Sequence, residues 1–181
     1  MIPQMIPYWN TFNNFFTQRK ASFMSYENIV YALNEKGLTV TFAESCTGGY
    51  LAKMITDIPG SSSVFKGSLV AYANEIKHSI LCVKQETLDL FGAVSPQTAR
   101  EMATGARMLF NADIAVSVTG IAGPGGGSAE KPVGLVYVCI ATKNTEKVYK
   151  LMASDKNGRC GVRSAVVEQV GRLLTELLKN E

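Results

Sequence analysis

Residues 39–54, TVTFAESCTGGYLAKM, place Ser45 between an apolar alternation and a Gly-Gly pair, after which a helical pattern begins. A serine at such a strand-to-helix junction can cap the helix, its oxygen accepting a hydrogen bond from an orphan N–H of the first turn. It can also be a nucleophile, with those N–H groups and the positive end of the helix dipole facing an oxyanion on the substrate. Capping serines far outnumber nucleophilic ones, so the local sequence favours the cap. A nucleophile needs a base, and the candidates are the neighbours Lys77 and His78, the chain's one histidine. Adjacent helical residues project about 100° apart, so at most one of the two faces the Ser45 loop. Lysine becomes a base once desolvation lowers its pKa, whereas a lone histidine beside an amphipathic helix is more often a surface residue. The local sequence leaves that choice open.

Tyr72 precedes Lys77 by five residues, which is one more than the Tyr-x-x-x-Lys pair of short-chain dehydrogenases requires. A G-x-G-x-x-G fingerprint after a first strand is missing too, so hydride transfer is disfavoured. Gly48 stands where the Ser-x-x-Lys motif of penicillin-binding enzymes needs its lysine, which excludes that family but not its Ser/Lys/Tyr logic. The segment TGIAGPGGGSAEKP, with Thr119, Gly120 and Gly123, has glycines suited to close backbone approach to a phosphate or ribose. It lacks the Gly-Lys-Ser/Thr end of a P-loop, and alone it reads equally as a surface loop. Arg159 and Arg163, four residues apart at the start of the last helix, could fork onto a phosphate with the helix N-terminus, although most helical arginines are simply solvated.

These residues must be positioned by a framework of alternating strands and helices. Ser25 caps a helix with Ile29, Val30 and Leu33 on one side, closing at Gly37. Residues 39–44 read as a strand, GGYLAKMIT as a helix stopped by Pro59-Gly60, residues 67–73 as a strand, and Asn74 to about Cys82 as a short helix. SPQTAREMATGARMLF carries Ser95 as cap, Pro96 at the first helical position, and a core stripe of Ala99, Met102, Ala103, Ala106 and Phe110. DIAVSVTG is a buried strand, VGLVYVCIAT and KVYKLMA flank the turn KNTE as a hairpin, and a final helix runs from about Gly158 to Leu178. This order predicts an α/β fold, a three-layer α/β/α sandwich on a mixed, mostly parallel sheet. In such sheets the crevice lies beyond the strand ends, where the loops after residues 44, 73 and 119 converge.

Composition bounds the rest. The chain has 181 residues, 46% of them apolar, which suits one core and not two. Its 18 basic and 15 acidic residues are spread along the length, so no nucleic-acid stripe is expected. Cys46, Cys82, Cys139 and Cys160 form no C-x-x-C pair, which predicts buried thiols in a reducing, cytoplasmic compartment, with no metal and no cofactor. Apolar runs fall short of the roughly 18 residues a membrane span needs. Residues 1–23 are aromatic, Asn-rich and aperiodic, without the charged start and continuous apolar segment of a signal peptide. They read as a poorly structured extension or an arm on a partner subunit, leaving 24–181 as the functional domain. A homo-oligomer is expected, a dimer first.

The ordered motifs ESCTGG, YANEIK, AVSPQTAREMATGAR, TGIAGPGGGSAEKPVGLVY and GRCGVR together resemble the C-terminal domain family of the competence/damage-inducible protein CinA, over about residues 25–180. Stand-alone members of that family are nicotinamide-nucleotide amidases. The resemblance implies hydrolysis of the carboxamide of nicotinamide mononucleotide to nicotinate mononucleotide and ammonia, without a metal, in pyridine-nucleotide salvage. It implies catalytic roles for Ser45, Tyr72 and Lys77 and a substrate role for Arg159, whose KNGR turn departs from the family's G-D/N-R pattern. Together with the reading of the loops, it extends the expected substrate-binding set to Cys46, Thr47, Gly48, Gly49, Thr119, Gly120, Gly123 and Arg163. A noncatalytic nucleotide-sensing or protein-binding module of the competence and recombination machinery is the alternative.

Overall fold

The computed structural model describes residues 26–180, so Ser25, Met24 and the extension 1–23 lie outside the described residues. The elements are α1 (Tyr26–Lys36), β1 (Val40–Glu44), α2 (Tyr50–Thr56), β2 (Phe65–Val70), α3 (Asn74–Ser79), α4 (Gln85–Phe91), α5 (Pro96–Leu109), β3 (Ile114–Gly120), β4 (Leu135–Ala141), β5 (Glu146–Met152) and α6 (Gly158–Asn180). The sheet order is β2-β1-β3-β4-β5. β1 pairs parallel with β2 and β3, whereas β4 runs antiparallel to β3 and β5. The sheet is therefore mixed: four strands share one direction, and half of the pairings are parallel.

The period-2 alternation of the strands sends different residue sizes to the two faces. Val40 and Phe42, Ile114, Val116 and Val118, and Val136, Val138 and Ile140 pack with Leu33, Leu51, Ile55, Val166, Val170 and Leu174 of α1, α2 and α6. The opposite face is lined by small residues, Ala43 and Ala115 against Met102 and Ala106 of α5, and Cys139 and Ala141 against Ala99 and Ala103. Close approach follows from that smallness. At Gly105 of α5, a Cβ would stand 1.9 Å from the Leu81 carbonyl oxygen, so no side chain fits there. α5 starts as its sequence dictates: Pro96 takes the first turn, and the Ser95 hydroxyl accepts the Thr98 N–H at 3.1 Å.

The connection from β1 to β2 runs through α2 on the large-residue face, and that from β2 to β3 runs through α3, α4 and α5 on the other. The chain thus leaves β1 and β2 toward opposite faces of the sheet, and a crevice opens at the carboxyl ends of the strands.

Four sequence expectations change. The second strand spans 65–70, not 67–73, because Phe65 already pairs with Val40 and the chain leaves the sheet after Val70. α3 stops at Ser79, not near Cys82: the Val83 N–H turns back to the Lys77 carbonyl at 3.0 Å, and Cys82 adopts a left-handed φ of 56°. α4 stands where the sequence shows no element, because this short segment buries only Thr87 and Leu88, too little to set a periodicity. Two of the four free thiols, Cys82 and Cys160, are exposed, while Cys46 and Cys139 are buried. Among the described residues, no helix is long and apolar enough to cross a membrane. Nor do three His, Cys, Asp or Glu side chains gather there to hold a metal ion.

Candidate functional site

At the carboxyl end of β1 the chain makes a turn, residues 45–49, before α2 begins. Ser45 extends the ladder by one bond, its N–H donating to the Val118 carbonyl at 2.9 Å. It does not cap α2. The cap position is Gly49, which has no side chain, and the free N–H groups of the first turn are taken from an unexpected direction. Glu44, fully buried at the end of β1, accepts the N–H groups of Gly49 (3.0 Å), Leu51 (3.0 Å) and Ala52 (2.9 Å) and the Ser68 hydroxyl (3.3 Å). These bonds engage both Glu44 oxygens and satisfy the buried carboxylate at the helix end. The expectation that Ser45 caps the helix is therefore corrected: Glu44 does that, and among the described residues the Ser45 hydroxyl has no hydrogen-bond partner.

Ser45 opens into a cleft of about 230 Å³ that Cys46, Tyr72, Lys77, Thr119, Gly120 and Arg159 also line. The loops after β1, β2 and β3 meet there as their spacing predicted. Three further walls, Ala93, Val94 and Ala122, were not read from the sequence. Ala93 is brought in by β3, whose Thr119 hydroxyl donates to its carbonyl at 2.6 Å, and this side-chain-to-backbone link leaves no local signal.

The helix turns only one of the two candidate bases toward the cleft. Lys77 is 1% exposed and faces the cleft, whereas His78 is exposed and its Nδ1 lies 2.8 Å from the Val83 carbonyl oxygen. The Lys77 amine donates to the carbonyl oxygens of Ala71 (2.8 Å) and Tyr72 (3.3 Å). Burial holds its pKa below the ordinary lysine value, with Cys46 and Glu75 pulling weakly the other way. A neutral amine has two N–H bonds, which these carbonyls can accept, and its lone pair is then left for a proton. Cys46 is a poor nucleophile beside it: burial pushes its thiol up to about 12, against the lowering pull of its own backbone N–H and of the Arg159 and Arg163 guanidinium groups.

The other wall is more open. Tyr72 is 61% exposed, and its phenol oxygen accepts Arg159 Nη2 at 2.7 Å, while Arg159 Nη1 donates to the Gly123 carbonyl at 2.9 Å. Arg159 thus links the loop after β2 to the glycine-rich loop after β3, and residues 124–130 of that loop are exposed. Arg163 diverges from Arg159 despite the four-residue spacing: its Nη2 donates to the carbonyl oxygens of Thr47 and Gly48, the latter at 3.5 Å. Thr47, Gly48, Gly49, Gly123 and Arg163 do not line the cleft. The Gly48 N–H donates to the Ser45 carbonyl at 3.1 Å and that of Gly49 to Glu44, so within the turn only the N–H groups of Cys46 and Thr47 make no hydrogen bond to another described residue.

The profile of the CinA C-terminal domain matches residues 24–178. A CinA-like protein of Endomicrobium trichonymphae is 49% identical over 149 residues, covering 82% of this chain and 33% of its own length. One from Leptospira borgpetersenii serovar Hardjo-bovis is 54% identical over 121 residues, covering 67% and 29%. The chain spans about a third of the length of the curated relatives it matches. Among solved structures, a competence/damage inducible protein from Agrobacterium tumefaciens superposes with a TM-score of 0.81 at 42% identity, covering 88% of this chain and 99% of that one. A CinA superfamily protein from Klebsiella pneumoniae gives 0.81 at 29% identity, covering 87% and 99%. With the profile spanning nearly all the described residues and the same fold in those structures, the chain belongs to the CinA C-terminal domain family.

Proposed function

We propose that the cleft hydrolyses the carboxamide of nicotinamide mononucleotide to nicotinate mononucleotide and ammonia, in pyridine-nucleotide salvage in the cytoplasm. The observation that carries this reading is the meeting of an unpartnered Ser45 hydroxyl with a buried Lys77 of lowered pKa in one cleft. Neutral Lys77 takes the Ser45 proton as Oγ attacks the amide carbon, and the N–H of Cys46, the turn residue beside Ser45 that lines the cleft, holds the oxyanion, a donor role commonly worth about 3 to 4 kcal/mol. Tyr72, whose oxygen already accepts from Arg159, keeps its own O–H proton free to pass toward the leaving ammonia. The C–N bond then breaks as the Tyr72 proton goes to the departing ammonia and protonated Lys77 restores it; water then hydrolyses the acyl-serine, its proton returning to Ser45 through Lys77, and nicotinate mononucleotide leaves. A volume of about 230 Å³ is below the roughly 300 to 1,000 Å³ that encloses a drug-sized ligand, so the amide end enters and the phosphate stays at the rim, near Arg159. The relatives are not named for a reaction, so the motif resemblance and this geometry support the reading. Incubating the purified protein with nicotinamide mononucleotide and measuring ammonia and nicotinate mononucleotide tests it. Stoichiometric release of both is expected, and no release above a Ser45→Ala control overturns it.

A further inference from the structure

We infer that Arg163 is a positioning residue, holding the carbonyl side of the Ser45 turn so that the Cys46 N–H remains available to the reacting oxygen. The inference rests on the amidase reading, and four observations support it. First, the Arg163 guanidinium donates to the carbonyl oxygens of Thr47 and Gly48, so α6 grips the turn 115 residues away in sequence. Second, the turn is held from its other side as well, because Glu44 takes the Gly49 N–H; one ionic group collects donors and the other collects acceptors. Third, Gly48 is shaped to this contact: its φ is +60°, and a Cβ there would stand 3.1 Å from Arg163 Nη2. Fourth, Arg163 makes no ion pair among the described residues, and its Nε is buried without a partner. A guanidinium kept partly out of water without a carboxylate leaves its positive charge uncompensated beside the turn, where negative charge develops in the transition state.

A phosphate ligand would behave differently. It would raise KM for the nucleotide and leave the phosphate-free riboside untouched. A group acting through the turn lowers kcat for both substrates. The experiment compares native protein, Arg163→Ala and Arg163→Lys, measuring kcat and KM on nicotinamide mononucleotide and on nicotinamide riboside. Amide hydrogen exchange of peptides covering residues 45–49 and 166–178 is followed in parallel. Arg163→Ala is expected to lower kcat about 10- to 100-fold on both substrates with KM changed less than about threefold. It should speed exchange in residues 45–49 by about tenfold or more while residues 166–178 exchange as before. Arg163→Lys, which keeps the charge but not the fork, should recover part of kcat. Unchanged exchange in the turn overturns the inference, as does a KM effect confined to the nucleotide. If native protein hydrolyses neither amide, the amidase reading fails on its own, and the exchange measurement still decides whether Arg163 holds the turn.

Discussion

The two walls of the cleft are built differently. On one side, Ser45 stands on a turn whose Gly49 N–H is taken up by Glu44, and Lys77 faces the same cleft, both 1% exposed or less. On the other side, Tyr72 and the glycine-rich loop are exposed and are tied together mainly by Arg159. A reacting group must be held within a fraction of an ångström and kept from water, whereas a recognition group must admit and release a solvated phosphate. Under the amidase reading proposed above, chemistry belongs to the buried wall and recognition to the open one. Substitutions on the buried wall should therefore act on kcat, and those on the open wall on the choice of substrate.

The largest effect should come from Ser45→Ala, which removes the attacking atom without opening a cavity. Ammonia release should fall about 10⁴-fold or more with Tm within a few degrees of native, and near-normal turnover would leave Ser45 with no chemical role. Lys77→Met should follow closely in activity, whereas His78→Ala on the same helix should change kcat less than about twofold.

The pH dependence sharpens the assignment of Lys77. Its folded pKa lies below the ordinary lysine value, so kcat/KM should rise with pH through a lowered pKa and level off above it. Between the folded pKa and about 10.5, the unfolded chain binds the proton and the folded one does not, so stability rises with pH through that window and is lost as pH falls through the folded pKa. Denaturant titrations of the Lys77→Met protein at several pH values should show a shallower slope there.

Glu44→Gln tests whether the buried wall needs its carboxylate. An amide sets a donor group against N–H groups that now meet an oxygen, and stability should drop by about 2 to 3 kcal/mol, with kcat falling as the turn loosens. A neutral result in urea denaturation would mean the helix end finds other partners.

On the open wall, Arg159→Ala should lower kcat/KM for nicotinamide mononucleotide about 10- to 100-fold, the loss of one charge-assisted contact, and alter the riboside little. The double difference between two substrates and two proteins isolates the phosphate contribution. Equal harm to both substrates would move Arg159 to the chemical side, through its bond to Tyr72.

Periodicity in the sequence determined the elements that bury a regular stripe: the α5 helix with its Ser95 cap, the apolar strands β1, β3 and β4, and the long α6. In those segments local preference and core burial agree, so the pattern is legible. It also determined that Ser45, Tyr72 with Lys77, and Thr119 stand at strand ends, because an α/β alternation sends such ends to one edge. Tertiary structure alone decided four matters. It turned Lys77 and not His78 into the cleft, since the facing of a short helix depends on what packs beneath it. It gave the helix cap to Glu44, because a carboxylate one residue upstream reaches three N–H groups that Ser45 does not. It added Ala93 and Val94 through one long-range hydrogen bond. It also parted Arg159 from Arg163, whose equal helical phase says nothing of side chains long enough to reach different partners.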